Sequence, residues 1–161
     1  MGLHSQKVLL CVWWTAAEIV HSEFLDVGQT ITADIYSEQL KRVQDELLKK
    51  QPLLAKRKGV VFLQDNARPH VAKKTRETIF ELGWEILPHP PYSPDISPSD
   101  YHLFLSLDNY MRDRHFKNKE EVKEGVLTFF SLKNEDFYKS GVNKLVSRWQ
   151  KIVDCDGAYF D

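Results

Sequence analysis

The chain has 161 residues, a mass of 18.8 kDa, 42% hydrophobic and 12% aromatic residues, which suits one domain with a substantial core and excludes a disordered tail or a fibre. Lys and Arg (22) nearly balance Asp and Glu (23), giving a net charge of -1 and a pI near 6.6, which excludes a uniformly basic nucleic-acid coat but leaves room for a local basic face. No apolar run approaches the roughly 18 residues of a membrane helix. Met1 to Lys7 lacks the features of a signal peptide, and Cys11 and Cys155 have no CxxC partner, so the expectation is a soluble intracellular chain without a membrane partner, disulfide framework or zinc site.

Val8 to Trp14 (VLLCVWW) is β-branched and aromatic, too short for a typical helix, and reads as a fully buried central strand. Ile19 to Leu25 alternates, with Ile19, His21, Glu23 and Leu25 opposite Val20, Ser22 and Phe24, so the two runs predict a hairpin. Asp26-Val27-Gly28-Gln29 is a turn, and Thr32 or Asp34 caps a helix carrying Tyr36, Leu40, Val43 and Leu47 that ends before Pro52. Val60 to Leu63 is a second buried strand, stopping at Gln64-Asp65-Asn66. After Pro69, Val71, Thr75, Thr78, Ile79 and Leu82 share a helical face, closed by Gly83, and Trp84 to Leu87 is a third short strand.

Five of the seven prolines fall between Pro88 and Pro98, a rigid loop that holds off regular structure until Ser99 or Asp100 opens another helix. Helices over Glu120 to Phe130 and Glu135 to Val153 complete the chain, the last with an apolar face of Val142, Leu145, Val146, Trp149 and Ile152. A hairpin, then alternating strand and helix, then helices, predicts a mixed α/β architecture with helices packed on a sheet.

Two acids occupy positions where a rigid scaffold can aim a carboxylate. Asp65 follows a strand, a place where open α/β folds bind ligands, and Asp100 follows the proline-rich loop. Such a pair of hard oxygen donors suits Mg²⁺, and two ions would support phosphoryl transfer. Spacing alone favours a turn at Asp65-Asn66 and a helix cap at Asp100, because short acidic motifs are common in turns and caps. His89 and His102 read as structural histidines. The four tryptophans read as core rather than as base-stacking platforms.

QDNARPH (Gln64 to His70) followed by HPPYSPDISPSDYHLF (His89 to Phe104) resembles the catalytic core of mariner-family transposases. Thirty-four residues lie between Asp65 and Asp100, matching the family's spacing between its second and third metal-binding acids. VWW at Val12 to Trp14, GQTI at Gly28 to Ile31, and RWQK followed by YFD near the end extend the similarity along nearly the whole chain. The resemblance implies an RNase H-like (retroviral integrase-type) mixed sheet with flanking helices, DNA cleavage and strand transfer at element ends, and a nuclear location. It implies Asp65 and Asp100 as catalytic metal ligands for Mg²⁺ or Mn²⁺, and DNA as partner, with a homodimer as the working form.

Asn66, Arg68 and His70 at the strand-to-helix corner, with Lys73 and Lys74 beyond, are the candidate DNA contacts; the alternative is that Arg68 and His70 only solvate the corner and that each lysine belongs to a solvated charged face. Lys49, Lys50, Lys56, Arg57, Lys58 and Arg76 are weaker candidates of the same kind. The family carries its first catalytic Asp on a strand before the one that VWW resembles, and a helix-turn-helix region before that. Residues 1–161 are therefore expected to form a partial catalytic domain lacking the first strand, with no helix-turn-helix and no SET domain, and with impaired catalysis. Asp26 and Asp34, in a turn and a helix start, do not read as substitutes for the missing acid. A domesticated non-catalytic DNA- or protein-binding module, or the distal part of a larger fusion, is the alternative.

Overall fold

The computed structural model describes residues 8–26, 28–56, 60–65, 67–90 and 93–154. Strands β1 (Val8–Trp14) and β2 (Ile19–Asp26) form an antiparallel hairpin, closed by Thr15 N–H donating to the Glu18 carbonyl at 3.0 Å. Helix α1 (Ala33–Lys50) follows, then the short α2 (Pro52–Lys56) and β3 (Val60–Leu63). Helices α3 (Arg68–Val71) and α4 (Lys73–Glu81) cross over to β4 (Trp84–Leu87), which pairs parallel with β3, as a crossover of this kind permits. A 3₁₀ turn at Pro94–Ile96 and a π-helical turn at Ser99–Phe104 lead into α5 (Leu105–Met111), α6 (Lys119–Leu132) and α7 (Glu135–Asp154).

The alternation of β1 divides the core into two layers. Trp13 packs into a cluster built by Val20, Ile79 and Trp84 with the α1 stripe Tyr36, Leu40, Val43 and Leu47. Leu10, Val12 and Trp14 pack into the opposite cluster of Leu103, Leu107, Val126, Phe129, Phe130 and Tyr138. Helices on both faces explain why the run is continuously apolar. The expected strict alternation of β2 does not hold. Trp13 pairs with His21 but Trp14 pairs with Ile19, so Val20 is the extra residue of a bulge. Val20 thereby turns into the α1 layer while Ile19 and Phe24 stay in the other, and Lys50 Nζ donates to the Val20 carbonyl at 2.9 Å.

Thr32, the first of the two expected caps, accepts from Ile35 N–H at 3.2 Å, and α1 ends before Pro52 as its spacing predicts. The helix expected after Pro69 is two helices, because Ala72 is extended (ψ 151°); Val71 therefore leaves the α4 face and is exposed. Gly83 ends the segment with a φ of 78°, which favours glycine. Val146, placed on the apolar face of the last helix, is 76% exposed, while Ile152 lies among the residues whose side chains are outside the described set. Val27, Cys155 and the YFD motif also fall outside the described residues.

The main departure concerns the strands expected to be fully buried. Among the described residues β1 pairs only with β2 and β3 only with β4, giving two two-stranded sheets. Residues of β1 are only half-buried and Val61 of β3 is 61% exposed, because each strand keeps one unpaired edge.

The π-helical turn is anchored to both neighbours. Trp14 Nε1–H donates to Ser99 Oγ at 2.9 Å, Tyr101 O–H donates to the Gly141 carbonyl, and the ring of His102 lies against Gly141. A Cβ at Gly141 would meet that ring, so Gly141→Ala is expected to destabilise the protein by about 1–3 kcal/mol, an overpacking cost. Urea denaturation would show it as a lower midpoint with an unchanged slope.

Candidate active site

Strand β3 delivers Asp65 two residues beyond its end, with the side chain 61% exposed. Asp65 Oδ1 accepts from Ala67 N–H at 3.0 Å and pairs closely with His70 Nδ1. The His70 ring stacks on Tyr36 of α1, centroids 4.1 Å apart. The Tyr36 O–H donates to Gln64 Oε1 at 2.8 Å, and Gln64 Nε2–H donates to the His70 carbonyl at 3.0 Å. Asp65, His70, Tyr36 and Gln64 thus form a closed ring of contacts that fixes the corner between β3 and α3. The hydrogen bond from His70 holds the Asp65 carboxyl below the usual carboxylate range, against partial burial, with help from Ala67 N–H and the nearby His89.

A cavity of about 240 Å³ opens beside this carboxylate, lined by Asp65, Gln64, His70, Arg76, Leu87 and His89. Arg76 is turned toward the backbone, donating from Nε to the Val71 carbonyl at 2.8 Å. Asp100 stands in the first turn of the π-helix, exposed, and is not part of that lining. It is not the cap that spacing allowed: the capping position is Pro98, which makes no side-chain bond. The turn bearing Asp100 is held by Trp14 and by Arg148, whose guanidinium lies over the Tyr101 ring at 4.2 Å and donates to the Asp95 carbonyl at 3.0 Å.

The two acids are hard oxygen donors of the type a divalent ion prefers. Among the described residues, no group of three or more His, Cys, Asp or Glu that could hold a metal ion is present. Asp26 and Asp34 pair with Lys119 and Lys74, respectively. His102 is engaged with the Phe137 carbonyl at 2.6 Å, and burial pushes its pKa down.

Of the candidate DNA contacts, Arg68 is exposed on α3 and His70 is bound to Asp65, while Asn66 lies outside the described residues. Lys73 is 91% exposed and 3.9 Å from Glu77; Lys74 pairs with Asp34. Lys50 is drawn into the bulge carbonyls, and Arg57 and Lys58 lie outside the described residues. Sequence reasoning missed Tyr36 and Gln64 as parts of the site. Gln64 stood within the quoted motif, but Tyr36 carried only a helical apolar spacing, and its role depends on a contact 28 residues away in sequence.

Comparison with known proteins bears on this geometry. A family described as "Transposase (partial DDE domain)" matches residues 1–57. The catalytic domain of Mos1 transposase, solved with raltegravir and Mg, superposes with a TM-score of 0.90 at 42% identity, covering 96% of this chain and 77% of that one. This chain belongs to the mariner transposase family. The mariner fold is RNase H-like, as the sequence resemblance implied. The chain is 41% identical to the mariner Mos1 transposase of Drosophila mauritiana over 157 residues, and 45% identical to the human histone-lysine N-methyltransferase SETMAR over 159. It spans 46% and 23% of those two relatives.

The mariner corner yields a pH prediction. Because the folded pKa of Asp65 is depressed, its stabilising contribution is present above the ordinary carboxylate pKa of about 3.9 and is lost as pH falls through the folded value. In His70→Ala, carboxyl NMR titration should show Asp65 moving back up toward the ordinary range; an unchanged titration would remove His70 as the cause.

Proposed function

We propose that this chain is the catalytic-domain portion of a mariner transposase, ancestrally a metal-dependent DNA-cleaving and strand-transferring enzyme, and that catalysis is impaired in residues 1–161. The observation that carries the reading is the pairing of a Mos1-like fold with an exposed Asp65 held ionised at the end of β3. Asp65 and Asp100 are the residues that would hold Mg²⁺ or Mn²⁺, the metals present in Mos1 catalytic-domain structures. Such ions, when bound, activate water and neutralise charge in phosphodiester cleavage. The impairment follows from the shortage of donors: two carboxylates without a third hold ions weakly and place them poorly.

DNA is the proposed partner, in keeping with relatives solved as a paired-end complex and a strand transfer complex, and the nucleus the proposed location. Arg68, His70, Lys73 and Lys74, with Asn66, are the proposed contacts, and a homodimer the proposed assembly. Residues 1–161 act as a single partial catalytic domain, with no helix-turn-helix and no SET domain in this span. The same donor shortage supports a second reading, a non-catalytic DNA- or protein-binding module or the distal part of a fusion such as SETMAR.

Supercoiled-plasmid nicking separates the two. The 161-residue chain should give no Mg²⁺- or Mn²⁺-dependent nicking above background, and nicking abolished by Asp65→Asn would overturn the impairment. DNA binding should be independent of sequence, with log K falling against log salt by about 0.9 per phosphate contacted. Lys73→Ala with Lys74→Ala should flatten that slope equally on all sequences; a preference for one inverted repeat would contradict the assignment.

A further inference from the structure

The carboxylate of Asp65 is mainly exposed, yet its orientation is fixed. The terminal torsion of an exposed aspartate is broad and does not by itself distinguish the two oxygens. Here both donors, Ala67 N–H at 3.0 Å and His70 Nδ1–H, reach the same oxygen, Oδ1. Oδ2 accepts from none of the described residues. The protein uses one oxygen of this acid and leaves the other for a ligand.

Ala67 precedes α3 and His70 lies within it, so the arrangement lasts only while α3 keeps its place. A helix of four residues cannot sustain itself through its own hydrogen bonds. None of the four is fully buried, and Ala67 at the capping position makes no side-chain bond. The support comes from outside the helix. The buried Tyr36 ring of α1 stacks on the His70 imidazole, with centroids 4.1 Å apart and planes at 29°. The Tyr36 O–H donates to Gln64 Oε1 at 2.8 Å, and Gln64 Nε2–H carries that restraint to the His70 carbonyl at 3.0 Å. Thr75 O–H donates to the Pro69 carbonyl from the α4 side. Tyr36 thus acts on His70 by two routes, the ring face and, by way of Gln64, the backbone.

We infer that Tyr36 is a positioning residue for Asp65: through His70 it keeps Oδ1 engaged and leaves Oδ2 as the single oxygen with which this acid takes a divalent cation. The inference rests on the reading that Asp65 holds Mg²⁺ or Mn²⁺, for which a carboxylate oxygen is a fitting hard donor. It adds to that reading the oxygen used and the residue that selects it. Groups that orient a metal ligand from behind typically change metal affinity by about 10–100-fold when removed.

Two measurements on the full 161-residue chain test it. In the unaltered protein, Mg²⁺ is titrated while NMR follows the Asp65 carboxyl carbon and the His70 Nδ1 proton. The carboxyl resonance should shift while the Nδ1 proton signal persists; loss of that signal as the ion binds would overturn the inference, because the ion would then be displacing His70 from Oδ1. In the second, Mn²⁺ affinity is read from paramagnetic broadening of the Ala67 amide. Tyr36→Leu should weaken it about tenfold, and Tyr36→Phe, which keeps the ring and drops the bond to Gln64, should stay within about threefold of the unaltered chain. Equal affinity in all three would sink the positioning role. Should Tyr36→Leu fail to fold, the Mg²⁺ titration decides. Asp65→Asn keeps the two readings apart: broadening that needs Asp65 but is indifferent to Tyr36 removes only the positioning role. Broadening that survives Asp65→Asn, or no response to either ion, overturns the metal reading and this inference with it.

Discussion

The two-faced burial of β1 is the constraint on which the remaining packing depends. Trp13 on one face meets the α1 layer, and Leu10, Val12 and Trp14 on the other meet the layer of α5 to α7. A single seven-residue strand therefore separates and connects two apolar clusters that would otherwise have no common reference. The bulge at Val20 belongs to the same constraint: it lets β2 contribute Val20 to one layer and Ile19 to the other without breaking the hairpin. Lys50, reaching back from the end of α1 to the bulge carbonyls, satisfies acceptors that the interrupted ladder leaves over.

From that strand the two candidate acids are positioned by different means. Asp100 is reached through Trp14, whose indole holds Ser99, and through α7, whose Arg148 and Gly141 hold Tyr101 and Asp95. Asp65 is reached through α1, whose Tyr36 supports the His70 ring from below and Gln64 from the side. The polar ring around Asp65 is well satisfied, which accounts for a rigid corner in a partly exposed position. Its carboxylate stays ionised because the hydrogen bond from His70 outweighs the burial that opposes it. An exposed, ionised carboxylate on a fixed corner is suited to a cation, and the same exposure keeps the desolvation cost of a bound ion small.

A cavity of about 460 Å³ bordered by both sheets follows from the same architecture. Val43 and Leu47 of α1 and Val142 and Leu145 of α7 line it together with β1 and β3. This explains why strands with continuous apolar sequences are only half-buried: VLLCVWW and VVFL have the composition of interior strands, and each here pairs along one edge. Val61 illustrates it most directly, a β-branched residue in a short strand that is nonetheless mainly exposed.

The sequence by itself determined the elements and the motif. Strand runs, the Thr32 cap, the Gly83 stop and the proline-rich loop are set by local sterics and hydrogen bonding, and each reads within a few residues. The resemblance that led to the mariner family rests likewise on contiguous residues. The tertiary structure alone decided the break at Ala72, the bulge at Val20, the exposure of Val146 and the division into two sheets. It also decided that Tyr36 supports the Asp65 corner and that Trp14 fixes the turn bearing Asp100. Those outcomes depend on partners tens of residues away, and neither periodicity nor spacing specifies which distant side chain or strand edge a given residue will meet.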